Sequence, residues 1–137
     1  MNNLKLRNKL GLAGEFRVMS ELLLRGHNPA KSFLEEGADI ILENGLRIEI
    51  KCGHRCNAQK GIYEQNNYLF SFCGGHKKQY STLGDSDFVI LWLLDDDCFL
   101  IIPSDKITGN CVGINKLSPK LKYISYKDNW ALLDREV

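Results

Sequence analysis

The chain has 137 residues, close to the commonest domain size, and 44% of them are hydrophobic, enough to bury a core as a single domain over 1–137 without disulfide or metal staples. No apolar run approaches the ~18 residues of a membrane span, and Met1-Asn2-Asn3-Leu4-Lys5 lacks a signal-peptide core, so the expectation is a cytoplasmic protein with no membrane partner. The net charge of +1 hides alternating blocks: +4 over residues 1–31, −4 over 32–50, +4 over 51–80, −6 over 81–105, +5 over 106–127 and −2 over 128–137. Basic blocks beside acidic ones suit a polyanion held over a cation site, although ordinary surface patchiness gives the same pattern.

The first predicted element is a helix from Leu12 to Arg25. Leu12, Phe16, Met19 and Leu23 fall at i, i+4, i+7 and i+11 and are expected to face the core, with Gly26 ending the helix. Glu15 sits beside that stripe, whereas Arg17 and Glu21 read as a solvated pair. A short strand is expected near Ala30–Leu34. Next comes a hairpin, Asp39-Ile40-Ile41-Leu42-Glu43-Asn44-Gly45-Leu46-Arg47-Ile48-Glu49-Ile50-Lys51, whose Asn44-Gly45 dipeptide is a strong turn signal.

Two loop lengths compete there. A two-residue loop pairs Glu43 with Leu46 and puts Asp39 on the face of Ile48 and Ile50. A three-residue loop with Gly45 left-handed pairs Leu42 with Leu46 and Asp39 with Glu49. Only the second gathers Ile40, Leu42, Leu46, Ile48 and Ile50 on one face, leaving Asp39, Arg47, Glu49 and Lys51 on the other. A one-residue slip flips every side chain, so the bulged loop is expected.

Beyond Lys51, the polar stretch from Gly53 to Asn67 is expected to be a functional loop. Tyr68–Phe72 alternates as a strand, Phe88–Leu94 reads as a central strand covered on both faces, and Asp95-Asp96-Asp97 as an exposed turn. Cys98–Ile102 is a strand stopped by Pro103, and Asp128 is placed as N-cap of a short tail helix over Asn129–Leu133. The sum is an α/β sandwich around a mixed sheet.

The chemistry concentrates in the hairpin. Alternation puts Glu49 and Lys51 on one face, with side chains about 7 Å apart at the base, and Asp39 opposite Glu49. Two adjacent carboxylates repel, and a divalent cation is the usual remedy; oxygen donors favour Mg²⁺ or Mn²⁺, with water and substrate phosphate completing the shell. Lys51 could stabilise charge on a phosphate or help to activate water. Glu15 could supply a further acid to the metal shell or hold its waters.

Asp39, then Glu49-x-Lys51 at the end of the second hairpin strand, preceded by a helix with Glu15, resembles the PD-(D/E)XK nuclease superfamily. The segment Gly14-Glu15-Phe-Arg-Val-Met-Ser-Glu-Leu-Leu-Leu-Arg-Gly26 is similar to the opening helix of its small members, archaeal Holliday junction resolvases and intron-associated endonucleases. Asp85-Ser-Asp87-Phe-Val-Ile-Leu-Trp and Phe99-Leu-Ile-Ile-Pro103 are most like the intron-associated branch. One departure is Ala38, where the family name has proline. The resemblance spans about residues 12–103. It implies a restriction-endonuclease-like fold, a central mixed sheet flanked by helices. It further implies a Mg²⁺-dependent phosphodiesterase acting on DNA, often as a homodimer. Glu15, Asp39, Glu49 and Lys51 would be its catalytic set, and Asp39, Glu49 and the Ile50 carbonyl its metal ligands.

Outside the hairpin, His54, Arg55, Lys60, His76, Lys77 and Lys78, interleaved with Tyr63, Tyr68 and Tyr80, fit a DNA-phosphate-contacting surface as a group; any one of them is also an ordinary polar loop residue. Five cysteines in no framework spacing predict free thiols. Cys52-x-His54-x-Cys56 with Cys73-x-x-His76 offers a rival structural Zn²⁺ site, above all through Cys56, Cys73 and His76, while Cys52 continues the inward series of Ile48 and Ile50 as a small core residue. The competing function is therefore a non-catalytic nucleic-acid-binding module, with or without a zinc staple.

Overall fold

A computed structural model describes residues 3–33, 38–57, 66–74, 80–81 and 83–134. Its centre is a five-stranded mixed sheet in the order β1-β2-β3-β8-β9, formed by β1 (Ala30–Lys31), β2 (Ile40–Ile41), β3 (Arg47–Gly53), β8 (Phe88–Leu93) and β9 (Cys98–Pro103). Neighbours are antiparallel except β3 and β8, which run parallel with Glu49 opposite Val89 and Lys51 opposite Leu91. On one face lies the helix α1 (Asn3–Leu24); on the other, a three-stranded antiparallel sheet of β10 (Cys111–Ile114), β5 (Asn66–Ser71) and β4 (Cys56–Asn57). A further pair, β6 (Cys73–Gly74) and β7 (Tyr80–Ser81), stands apart. The expected α/β sandwich around a mixed sheet is therefore observed.

Strand alternation divides the core in two. Ile40, Ile48, Ile50, Phe88, Ile90, Phe99 and Ile101 pack with Val18 and Leu22 of α1 and with Trp130 and Leu133. Val89, Leu91, Leu93, Leu100 and Ile102 pack with Tyr68, Phe70, Phe72, Val112 and Ile114 of the second sheet. β8 feeds both clusters, as its uninterrupted apolar run requires. The strand β10 went unrecognised in the sequence because Cys111-Val-Gly-Ile114 is short and carries a glycine.

The hairpin adopts the expected register. Ile40 pairs with Ile48 and Ile41 with Arg47, Leu42 N donates to Leu46 O at 2.9 Å, and Gly45 has φ +85°. Asn44 ties the turn down, its Oδ1 accepting from Leu46 N and its Nδ2 donating to Leu133 O.

Two expectations need correction. The helix begins at Asn3, nine residues early, and turns a different face inward. Gly14, Val18 and Leu22 are buried, whereas Leu12, Phe16 and Leu23 are exposed and Met19 only flanks the core. The physical reason is distance. A Cβ on Gly14 would lie 2.6 Å from Cys52 Sγ, so only a glycine lets the helix approach β3 this closely, and the face that carries Gly14 turns inward. Cys52, as expected, packs inward, its thiol donating to Leu10 O at 3.0 Å.

The tail is not an α-helix but two 3-10 turns, Ile124–Tyr126 and Trp130–Leu133. Asp128 caps neither. With φ +50°, it donates its N–H to Phe99 O at 2.8 Å and accepts from Phe99 N through Oδ1 at 2.9 Å, serving as a strand partner to the free edge of β9.

Asp95-Asp96-Asp97 is an exposed turn, as expected, and each of its carboxylates is engaged. Asp95 binds His54 Nδ1 and Arg55 N, Asp96 accepts from Arg55 and from Tyr68 Oη, and Asp97 accepts from Trp92 Nε1 and Arg17. Arg17 still holds the expected Glu21 at 2.7 Å.

Candidate active site

Asp39 enters the site through an interrupted ladder. Its N–H donates to Ile48 O at 3.0 Å, and one step on, its own Oδ2 accepts from Ile50 N at 2.8 Å. The carboxylate thus replaces a missing strand carbonyl, which fixes Asp39 against β3. Glu49 projects from β3 away from the helix-side cluster that holds Ile48 and Ile50 and is only 7% exposed. Lys51 follows on the same face, with Nζ 3.7 Å from Glu49 Oε1. The second sheet covers β8 and β9 on that face, and β3 gives it a carboxylate and an ammonium.

Glu15 reaches the same place from α1, delivered by the close contact at Gly14 one residue earlier. Its carboxyl lies close enough to Asp39 for the two to perturb each other, and its charge is felt at Glu49. The four residues singled out in the sequence are therefore brought together. A fifth was missed: Lys31 of β1 places Nζ 3.6 Å from Glu15 Oε2. Nothing in the spacing marks Lys31, because the contact forms across strands and helix.

The electrostatics follow from crowding. Burial, then the neighbouring Asp39 charge, pushes the Glu49 carboxyl up to about 7 against the relief given by Lys51. Asp39 is raised by burial, opposed by the Ile50 amide and Lys51. Glu15 is raised by burial and then by Asp39, with Lys31 opposing. Three acids that resist ionising side by side are a place where positive charge is favourable.

Among the described residues, no group of three or more His, Cys, Asp and Glu side chains is arranged to hold a metal ion. The donor set nevertheless fits a hard divalent cation. Mg²⁺ typically takes one or two protein carboxylates and leaves the remaining positions to water and phosphate. Asp39 Oδ2 is committed to Ile50 N at 2.8 Å.

The other sequence candidates lie elsewhere. His54 and Arg55 leave β3 and bind the β8–β9 turn, with Arg55 also donating to Asn115 O at 2.7 Å and stacked over the Tyr68 ring. Lys60, His76, Lys77 and Lys78 lie outside the described residues, as do the side chains of Cys56 and Cys73, and with them the zinc alternative. The expected loop from Gly53 includes a strand, since β4 pairs with β5 through Cys56–Asn67 and Asn57–Asn66.

No helix among the described residues is long and apolar enough to cross a membrane. No protein-family model matches the sequence, and no curated protein matches it. Among solved structures, one of a bacterial homing endonuclease, I-Ssp6803I, is similar with a TM-score of 0.72 and 17% identity, over 96% of this chain and 93% of that one. At that identity the likeness is one of fold: the helix, mixed sheet and hairpin described above form an architecture that a homing endonuclease also uses.

Proposed function

We propose that the chain is a cytoplasmic DNA endonuclease that hydrolyses phosphodiester bonds with Mg²⁺ or Mn²⁺, as one nuclease domain of the PD-(D/E)XK type. The observation that carries this reading is the convergence of Asp39 and Glu49 with Lys51 on one hairpin, its register set by the Leu42–Leu46 pairing and the Asp39–Ile50 bond. Asp39, Glu49 and the Ile50 carbonyl would hold the cation, which supplies Lewis-acid polarisation of the phosphate and a more acidic water.

The chain's own groups do the rest. Lys51, held beside Glu49, is placed to neutralise charge developing on a non-bridging phosphate oxygen and to orient the attacking water. Glu15 orders water next to Asp39. Water adds to phosphorus, the strand oxygen leaves with a proton, and a phosphate monoester end results. Cutting both strands with one such site per chain calls for a homodimer. His54 and Arg55, with Lys60, His76, Lys77 and Lys78, remain the proposed DNA-facing group; of these, Arg55 has its guanidinium engaged by Asp96 and Asn115, which favours a supporting role for it.

The test is direct. Purified protein with Mg²⁺ or Mn²⁺ should nick or cut plasmid, single-stranded or branched DNA, and chelator, Asp39→Ala and Lys51→Ala should each abolish cleavage. Cleavage at full rate in both variants, or activity that follows zinc content, would overturn the assignment. DNA binding with no cleavage under any divalent cation would favour the non-catalytic nucleic-acid-binding module.

A further inference from the structure

We propose that Lys31 and Phe16 form a second subsite, in which Lys31 takes a DNA phosphate next to the one being cut and Phe16 stacks on an adjacent unpaired base. The inference rests on the nuclease reading, because that reading supplies the DNA strand.

The geometry is specific. Lys31 lies on β1, the outer strand of the sheet, and its ammonium stands 3.6 Å from Glu15 Oε2 and 5.8 Å from the centre of the Phe16 ring. Phe16 follows Glu15 in the helix, so cation and ring flank the acidic cluster on the same side. The Lys31 side chain is 47% exposed against 19% for Glu15, so the ammonium end is open to solvent and, at 3.6 Å from the carboxylate, can turn to a phosphate.

Phe16 is 57% exposed although the same helix buries Val18 and Leu22. Phe33, two residues past Lys31, is fully exposed as well. Large rings left in water beside a cation are what single-stranded nucleic-acid sites use: the cation tracks the backbone and the ring offers a π-face to any base. Within a duplex the bases are already stacked and must be unstacked to admit a ring, so the ring engages most readily where a nucleotide is unpaired. The substrate class that follows is DNA with a single-stranded segment, nick or flap beside the cut.

Fluorescence anisotropy with labelled single-stranded and duplex oligonucleotides of one sequence tests this, with Ca²⁺ replacing Mg²⁺ and salt varied. Lys31→Met should weaken both about tenfold and lower the salt slope by about one, and Lys31→Arg should restore both quantities. Phe16→Ala should weaken single-strand binding roughly 5- to 150-fold and duplex binding little, and Phe16→Tyr should restore it. Both side chains are exposed, and thermal melts confirm that each variant is folded. Unchanged affinity and slope in Lys31→Met, even with altered cation binding, would reduce Lys31 to a counter-ion for Glu15 and overturn the phosphate role. Equal effects of Phe16→Ala on both substrates, or none, would overturn the base contact. If the wild type cleaves DNA while these variants match it, the nuclease reading stands and this inference alone fails; if the wild type binds no DNA, both fail.

Discussion

Replacing Glu49 by glutamine should stabilise the metal-free protein in alkaline solution while abolishing activity. Glu49 is 7% exposed and its carboxyl is pushed up to about 7, against 4.5 for the free side chain. Its folded pKa lies above its unfolded one, so its contribution is fully present below about 4.5 and is lost as pH rises through about 7. At about 1.4 kcal/mol per pH unit, the displacement makes the ionised folded form about 3 kcal/mol less favourable than the protonated one. Glutamine keeps the shape and removes the charge, and because the displacement is already net of the relief from Lys51 at 3.7 Å, about 3 kcal/mol remains. For a chain of this size that is roughly 9 °C in Tm. Thermal melts with chelator should therefore converge at pH 4 and separate at pH 8, with Glu49→Gln the more stable. Mg²⁺ should raise the pH 8 melting point of the wild type and leave the variant unmoved. A variant that melts at or below the wild type at pH 8 would show that Glu49 is not strained, and the argument for a cation there would lose its electrostatic basis.

Gly14→Ala places a Cβ 2.6 Å from Cys52 Sγ and 2.8 Å from Cys52 Cβ, and should cost about 1–3 kcal/mol in urea unfolding. Because it displaces Glu15, cleavage should fall by more than the folded fraction does; activity that merely follows folding would refute the positional link. Tyr68→Phe removes the 2.6 Å bond to Asp96 from a buried ring and should lower stability by about 1–2 kcal/mol, read by denaturant melts, with catalysis at saturating DNA unchanged. His27, buried between Glu43 at 2.7 Å and Asp134 at 3.0 Å, should on replacement by alanine loosen the tail. Amide exchange in Trp130–Leu133 should then accelerate ahead of that in β8, and uniform acceleration would contradict the local reading.

Local signals carried much of this structure. The Asn44-Gly45 turn and the segregation of Ile40, Leu42, Leu46, Ile48 and Ile50 admit only one satisfactory register, and all five are buried. The apolar run from Phe88 had to be central for the same reason, and the clustering of Asp39, Glu49 and Lys51 follows from strand alternation and the hairpin register. What escaped was set by tertiary approach. The inward face of α1 is chosen by the absence of a side chain at Gly14, and hydrophobic periodicity counts only side chains that are present. Lys31 joins the site through a contact between edge strand and helix that no spacing encodes. Asp128 looked like a helix cap because an aspartate before Asn-Trp-Ala-Leu-Leu usually is one, yet the edge of β9 was the stronger claimant for its carboxylate.

That last contact bears on the order in which the protein is made. Residues 127–134 leave the ribosome after β9, so until they arrive β9 presents Phe99 N–H and C=O to any passing strand. Once Asp128 takes both groups and Lys127 bridges Leu100, that edge is sealed by its own chain. The interval between synthesis of β9 and docking of the tail is the window in which nascent copies are most prone to pair with one another, and chains stopped within it would be sticky despite carrying every residue of the acidic cluster.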